Sequence, residues 1–284
     1  MNFALVGPGR AGTAMTEALA RAGWHPTRIA GRSPDAPSVV RVAERFGAEA
    51  VAVEEAGVDV SLVLIATPDA AIRATAERLA GSLKPYAMVA HLAGSVGVEA
   101  FAGLVAARPD VSVAAIHPLQ TLPGRPGDSA RLVGSWFAVE GPPESGLIVE
   151  AVGGRAFTVG NRALYHAAAC VASNHFVALM GQVERLASAA GVPPEAFAPL
   201  VAATLANVGA AGVADSLTGP VARGDLDTVE RHLEAIPDDE RGTYRALARE
   251  ALRLTGRIDP ALESMLAEPL AEPLAEPIVG ERTR

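Results

Sequence analysis

The chain opens with a strand, a glycine turn and a helix, and that order restricts what it can fold into. Residues 2–6 (NFALV) form a short apolar run. Gly7-Pro8-Gly9-Arg10-Ala11-Gly12 follows, with glycines at the first, third and sixth positions, and residues 11–22 carry helical periodicity. In this spacing the first glycine permits a tight turn and the second lets backbone approach a ligand. The third allows the helix to pack closely on a sheet. The helix start then offers unpaired amides and a partial positive charge, which suits a phosphate group. Residues 7–12 are therefore expected to cradle the pyrophosphate of a dinucleotide.

The rest of the first half continues the alternation. Strand patterns at 27–30, 50–53, 60–66, 87–92 and 111–116 are separated by helical patterns at 39–46, 70–80 and 98–107. The run VSLVLIA at 60–66 is apolar throughout, as in a sheet covered on both faces. This predicts an α/β chain with a Rossmann-type, mostly parallel sheet. Residues 122–134 read as loop, and strands at 136–139 and 156–159 bracket a helix near 146–152. Beyond residue 160 no strand pattern remains. An alanine-rich helix at 162–190 leads to helices near 195–210, 225–235, 238–255 and 260–267. The expected organisation is a dinucleotide-binding domain (1–160), an all-helical substrate or dimerisation domain (161–265) and a tail (266–284). The tail contains LAEPLAEPLAEP, and a proline every fourth residue forbids an ordinary helix, so disorder is expected there.

Charge and composition exclude several classes. The net charge is −8, from 32 acidic and 24 basic residues, whereas a nucleic-acid binder needs a basic excess to neutralise phosphates. Cys170 is the single cysteine, so neither a disulfide nor a cysteine-based metal site is expected. The start lacks a basic leader, and no unbroken apolar run reaches about 20 residues, so no membrane span is expected. A cytoplasmic protein is the expectation. Lys84 is the only lysine, which removes nearly every candidate for a lysine acid or Schiff base.

The end of the second strand speaks to cofactor choice. A site preferring NAD usually places an acid there for the ribose 2′-hydroxyl. Gly31-Arg32-Ser33 stands there instead. The Arg32 fork can pair with a 2′-phosphate and Ser33 can donate a hydrogen bond, so NADP is favoured over NAD. Thr67 and Pro68 end the next major strand and are expected to wall the nicotinamide ribose. Asp69 reads either as a helix N-cap or as a functional group. His91, at another strand end, faces either the cofactor or its own strand terminus.

On the substrate side, His117 lies in Ile116-His117-Pro118-Leu119-Gln120-Thr121, where Pro118 is expected to halt the sheet and leave the histidine at the crevice rim. A histidine can donate a proton near neutral pH. His166, Cys170 and Asn174 are spaced by four along the next helix, with Ser173 alongside, and polar groups on one stripe need a partner or a cavity. A polar seam between packed helices explains the same stripe. Thr218 and Arg223, in LTGPVARGD, could bind a carboxylate, or could form an interhelical turn capped by Asp225.

GPGRAG, HPLQT, ASNHFVAL and LTGPVARGD together give a resemblance across residues 3–265. The chain resembles Rossmann-like proteins whose second half is a helical domain of unknown function, allied to the 6-phosphogluconate dehydrogenase C-terminal superfamily. It is more distantly similar to pyrroline-5-carboxylate reductase, deazaflavin-dependent NADP oxidoreductases, β-hydroxyacid dehydrogenases and ketopantoate reductase. The resemblance implies nicotinamide chemistry and a homodimer through the helical domain. Two of those groups carry a lysine four residues before an asparagine; here Asn174 matches the asparagine and Cys170 replaces the lysine. Three readings stay open: reduction of a small ketone such as a 2-keto acid of the ketopantoate type, reduction of an imine of the pyrroline-5-carboxylate type, and an NADP-binding sensor without turnover. The polar stripe weighs against the sensor. Histidines on both walls favour the ketone, with His117 or His166 donating the proton and Asn174 orienting a small carboxylate substrate.

Overall fold

The computed structural model describes residues 1–267. Eight strands form one sheet: β1 (Asn2–Val6), β2 (His25–Ala30), β3 (Glu49–Val51), β4 (Leu62–Ile65), β5 (Met88–His91), β6 (Ser112–Pro118), β7 (Trp136–Glu140) and β8 (Arg155–Phe157). Their order is β3-β2-β1-β4-β5-β6-β7-β8. The first six strands in that order are parallel, β7 runs antiparallel to β6, and β8 is parallel to β7. Helices α1 (Arg10–Arg21), α2 (Pro37–Phe46), α3 (Ile72–Leu79), α4 (Ala102–Ala107) and α5 (Gly146–Ala151) connect them. This is the expected Rossmann-type sheet.

Period-two alternation builds a core on each face. Phe3 and Leu5 of β1 join Met15, Leu19, Leu64 and Ile116 on one side. Ala4 and Val6 join Val63, Ile65, Ile72 and Phe101 on the other. Every residue of β4 is buried, so its unbroken apolar run has the cause inferred from sequence. The chain leaves β1 toward β2 on one side and returns to β4 on the other. A crevice therefore opens at the carboxyl ends of β1 and β4, the topological switch point where open α/β sheets bind ligands.

Two expectations need correction. Pro118 does not halt the sheet. It pairs with Phe137 in the antiparallel register, and the Leu119 amide donates to the Trp136 carbonyl at 2.9 Å. Antiparallel ladders alternate bonded and non-bonded pairs. Pro118 occupies a non-bonded position, where its missing N–H costs nothing. The second correction concerns the long helix, which is interrupted. After α6 (Arg162–Cys170) comes a π-helical turn, Val171–His175, and then α7 (Phe176–Ala189).

The chain divides into two compact units, residues 1–176 and those from Val177 onward. In the second, α8 (Ala198–Ala211), α9 (Val213–Ser216), α10 (Pro220–Arg223), α11 (Leu226–Ala235), α12 (Asp238–Thr255) and α13 (Pro260–Leu266) follow α7. Val221, Val229, Leu233, Leu252, Leu262 and Leu266 form its core. Arg185 and Gln182 of α7 bind the carboxylate and the carbonyl of Glu240. Asp225 caps α11 through the Thr228 amide at 3.1 Å, while Thr218 and Arg223 are exposed. Segment 217–225 thus has the geometry of a capped interhelical turn. All but the first two residues of the proline repeat lie outside the described residues.

The 28-residue stretch Arg162–Ala189, with a window of mean hydropathy 1.2, is long and apolar enough to cross a membrane. The unbroken-run criterion missed it because polar residues interrupt the run without lowering its average enough. No residue of α6 or α8 is buried.

Candidate active site

At the switch point the glycine turn has the geometry its spacing implies. Gly7 has φ of 95°, and a Cβ there would lie 2.7 Å from the Ala66 backbone. A Cβ on Gly12 would lie 2.6 Å from the Gly7 carbonyl oxygen and 2.8 Å from the Ala66 Cβ. Neither position has room for a larger residue. Gly9 meets nothing within 4 Å, and as the N-cap of α1 it supplies no side chain to its amides. The amides of Arg10, Ala11 and Gly12 therefore begin a helix with no side-chain cap, beside an open approach. Gly31 packs against Pro8, since a Cβ there would be 3.4 Å from Pro8 Cδ. That contact brings Arg32 and Ser33 alongside the turn. Arg32 is exposed. Ser33 hydrogen-bonds Asp35, which holds that exposed carboxyl below its ordinary range.

Thr67 follows β4 beside Gly7, and its hydroxyl is buried with no hydrogen-bond partner among the described residues. Pro68 is the N-cap of the short 3₁₀ turn Asp69–Ala71. Asp69 does not cap that turn; its carboxylate accepts from Ser95 Oγ at 2.6 Å. His91, a candidate cofactor contact, instead takes its other expected place, at its own strand terminus. It is completely buried, its Nε2 lies 3.1 Å from the Gly97 carbonyl and its Nδ1 accepts from the Ala93 amide at 3.2 Å. Both nitrogens fasten the loop after β5, and burial lowers its pKa.

The three expected catalytic residues come together. His117, His166 and Asn174 line one cavity of about 520 Å³, with Tyr165, Cys170 and Ser173. His117 Nδ1 and Tyr165 Oη are 2.7 Å apart. The His117 and His166 rings meet edge to face, with centroids 5.8 Å apart. Cys170 Sγ lies 3.7 Å from His166 Nε2, and Ser173 Oγ donates to Asn174 Oδ1 at 3.1 Å. The π turn shifts Asn174 from the straight stripe that a spacing of four implies, yet Asn174 still reaches the cavity. Single π turns of this kind recur at functional sites.

Three residues that the sequence did not disclose shape this wall. Arg162 is the largest omission. Its side chain is 8% exposed, and it donates to Glu140 Oε2 at 3.0 Å and to the Ala115 carbonyl at 3.1 Å. It also reaches the carbonyls of Ala93 and Gly94 at 3.3 and 3.4 Å. Gly94 is the second: a Cβ there would strike His166 Nδ1 and stand 2.9 Å from His117 Nε2. Tyr165, the third, has its pKa raised by burial. Only its adjacency to His166 could have drawn attention to it.

Burial is also the main cause that pushes the His117 pKa down to about 4, helped by the charges of His166 and Arg162 and opposed by Asp69. His117 is therefore neutral at pH 7. An imidazolium donor, as expected from its type, does not suit this position.

Residues 1–118 match a Rossmann-like domain, and residues 135–251 match a domain of unknown function, DUF2520. The chain carries both domains. The second match begins just before β7 and ends within α12, so it includes the last two strands of the sheet as well as most of the helices that follow. No curated protein matches the chain. A protein from Bacteroides fragilis, provisionally assigned as an NADP oxidoreductase, is 22% identical; the match covers 89% of this chain and 98% of that one, with a TM-score of 0.73. Protein TM1727 from Thermotoga maritima is 26% identical over 90% of this chain and 100% of its own, with a TM-score of 0.71. A reductive aminase from Aspergillus terreus, in complex with NADPH and ethyl-5-oxohexanoate, is 18% identical over 93% and 90%, with a TM-score of 0.55.

The depressed His117 pKa makes stability depend on pH. Between the folded value of about 4 and the ordinary 6.5, the unfolded chain binds a proton that the folded chain refuses, so stability rises with pH. The contribution is fully present above about pH 6.5 and is lost as pH falls toward 4, on the order of 3 kcal/mol in all. Urea unfolding at successive pH values should show this decline in the wild type and a flatter profile in His117→Gln. Parallel profiles for the two proteins would contradict it.

Proposed function

We propose that this protein is an NADP-dependent oxidoreductase that reduces a small carbonyl compound, with 2-keto acids as the first class to examine. One observation carries the reading: an uncapped glycine turn and a histidine-lined cavity both stand at the carboxyl ends of the parallel strands. A dinucleotide whose pyrophosphate rests on residues 7–12 has its nicotinamide end free to extend past Thr67 and Pro68 toward His117. The provisional assignment of the Bacteroides protein and the NADPH bound to the Aspergillus enzyme support the same cofactor. Arg32, exposed beside the turn, is the candidate partner for a 2′-phosphate. His117 would contact the reacting group, with His166 packed beside it and Asn174 orienting the substrate.

A second reading, imine reduction, draws on the neutral state of His117. Hydride addition to a protonated imine needs no strong acid, so a site without an imidazolium would still serve.

An NADPH-oxidation screen of the purified protein against small 2-keto acids and cyclic imines tests both. Turnover of a keto acid, lowered roughly 10²–10⁴-fold by His117→Ala with NADPH affinity preserved, is the expected outcome. Turnover of imines alone favours the second reading, and NADPH binding without any turnover indicates a sensor. Removing the Arg32 fork by Arg32→Ala should cost roughly 1.5–3 kcal/mol, about tenfold or more in NADPH affinity. Equal affinity of the native protein for NADPH and NADH would refute the cofactor choice.

We further propose a homodimer in which the exposed apolar helices are covered by a second copy. Leu164, Val171, Val177 and Leu200 are 58–69% exposed, and apolar patches of this kind call for a partner. Light scattering should return twice the chain mass of 29.0 kDa. A species of a single chain mass, or protein recovered only with membranes, would contradict the dimer.

A further inference from the structure

The cavity holds a phenol, a thiol and two imidazoles, and their pairing is directional. Each histidine has one nitrogen engaged by a neighbour on α6: Tyr165 at His117 Nδ1 and Cys170 at His166 Nε2. The remaining nitrogens differ. His166 Nδ1 is sealed against Gly94 and has no partner among the described residues, so no substrate atom can reach it. His117 Nε2 lies beside Gly94 without being sealed, on a residue that lines the cavity.

We propose that Tyr165 and His117 form a proton relay in which the tyrosine hydroxyl donates to Nδ1 and thereby fixes the hydrogen on Nε2, facing the substrate. Tyr165 is a positioning residue here, and His117 is the group that touches the substrate oxygen or nitrogen. The 2.7 Å separation fits a tyrosine hydroxyl donating to an imidazole nitrogen. An outer partner of this kind is what selects one imidazole tautomer over the other.

The inference rests on the proposed reductase reading. As hydride from the nicotinamide reaches a carbonyl carbon, the C=O π pair moves onto oxygen, which takes the Nε2 proton of His117. Nδ1 takes the Tyr165 proton in the same movement, so the ring ends neutral with its tautomer reversed. The negative charge passes from the substrate oxygen to the tyrosinate, which regains a proton from water. A bound nicotinamide would supply the two electrons by which the substrate is reduced. Tyr165, His166 and Arg162 face His117, with Asp69 and His91 at longer range. This arrangement lets a histidine that carries no charge near neutral pH still deliver a proton.

The direct test is ¹⁵N NMR of histidine-labelled full-length protein, with and without NADPH, with His117 assigned by its loss in His117→Gln. Between about pH 5.5 and 8, His117 should give one neutral form protonated at Nε2. In Tyr165→Phe the lock is gone, so a mixture of tautomers should appear while NADPH affinity is unchanged. On any substrate found by the screen, that variant should lower turnover roughly 10²-fold. A wild-type ring protonated at Nδ1, a ring titrating near 6.5, or a tautomer unmoved in Tyr165→Phe would each overturn the relay. The wild-type spectrum needs no variant to fold. Its result does not depend on whether NADPH binds, so failure of the relay and failure of the reductase reading remain separate outcomes.

Discussion

Burying a guanidinium is expensive unless every part of it finds a partner, because the lost hydration is worth several kcal/mol. Arg162 meets that condition by binding one carboxylate, on β7, and three carbonyls, two after β5 and one on β6. Those contacts tie the start of α6 to three successive strands. Without them, neither Tyr165 nor His166 would be held against His117. The same positive charge acts electrostatically on the cavity, where it helps keep His117 neutral. One buried interaction thus fixes both the geometry of the wall and the protonation state of its central residue.

The glycine turn achieves its effect by omission. Residues 7 and 12 lie so close to Ala66 that side chains are excluded, and Gly9 leaves the helix start uncovered. Phosphate binding at such a site needs no basic side chain, since backbone amides and the helix dipole supply the attraction. This accords with a chain that is acidic overall yet carries an expected anion site. Thr67, buried beside the turn, has a hydroxyl without a hydrogen-bond partner among the described residues.

Much of this was legible in the sequence, for a physical reason. Strand alternation, the glycine spacing and the cap at Asp225 are local, and each depends on residues a few positions apart. His117, His166 and Asn174 could be nominated because polar groups on apolar elements need partners. What was hidden is non-local. Arg162 reaches carbonyls 69 and 47 positions away, and Tyr165 meets His117 across 48. A charged residue at a helix start looks like any solvated one. His91 was left with two possible places for the converse reason. A strand-end histidine looks the same whether it faces a crevice or is turned inward onto its own loop. The π turn at Val171–His175 likewise leaves no trace in spacing.

The central claim is that the glycine turn and the histidine cavity are two ends of one site. A crystal structure of the full-length protein with NADPH tests it most directly. The account predicts pyrophosphate on the amides at the start of α1, the 2′-phosphate at Arg32 and the nicotinamide ring facing the cavity of His117 and Tyr165. A cofactor bound with its nicotinamide directed away from that cavity, or a turn left empty at saturating NADPH, would contradict it.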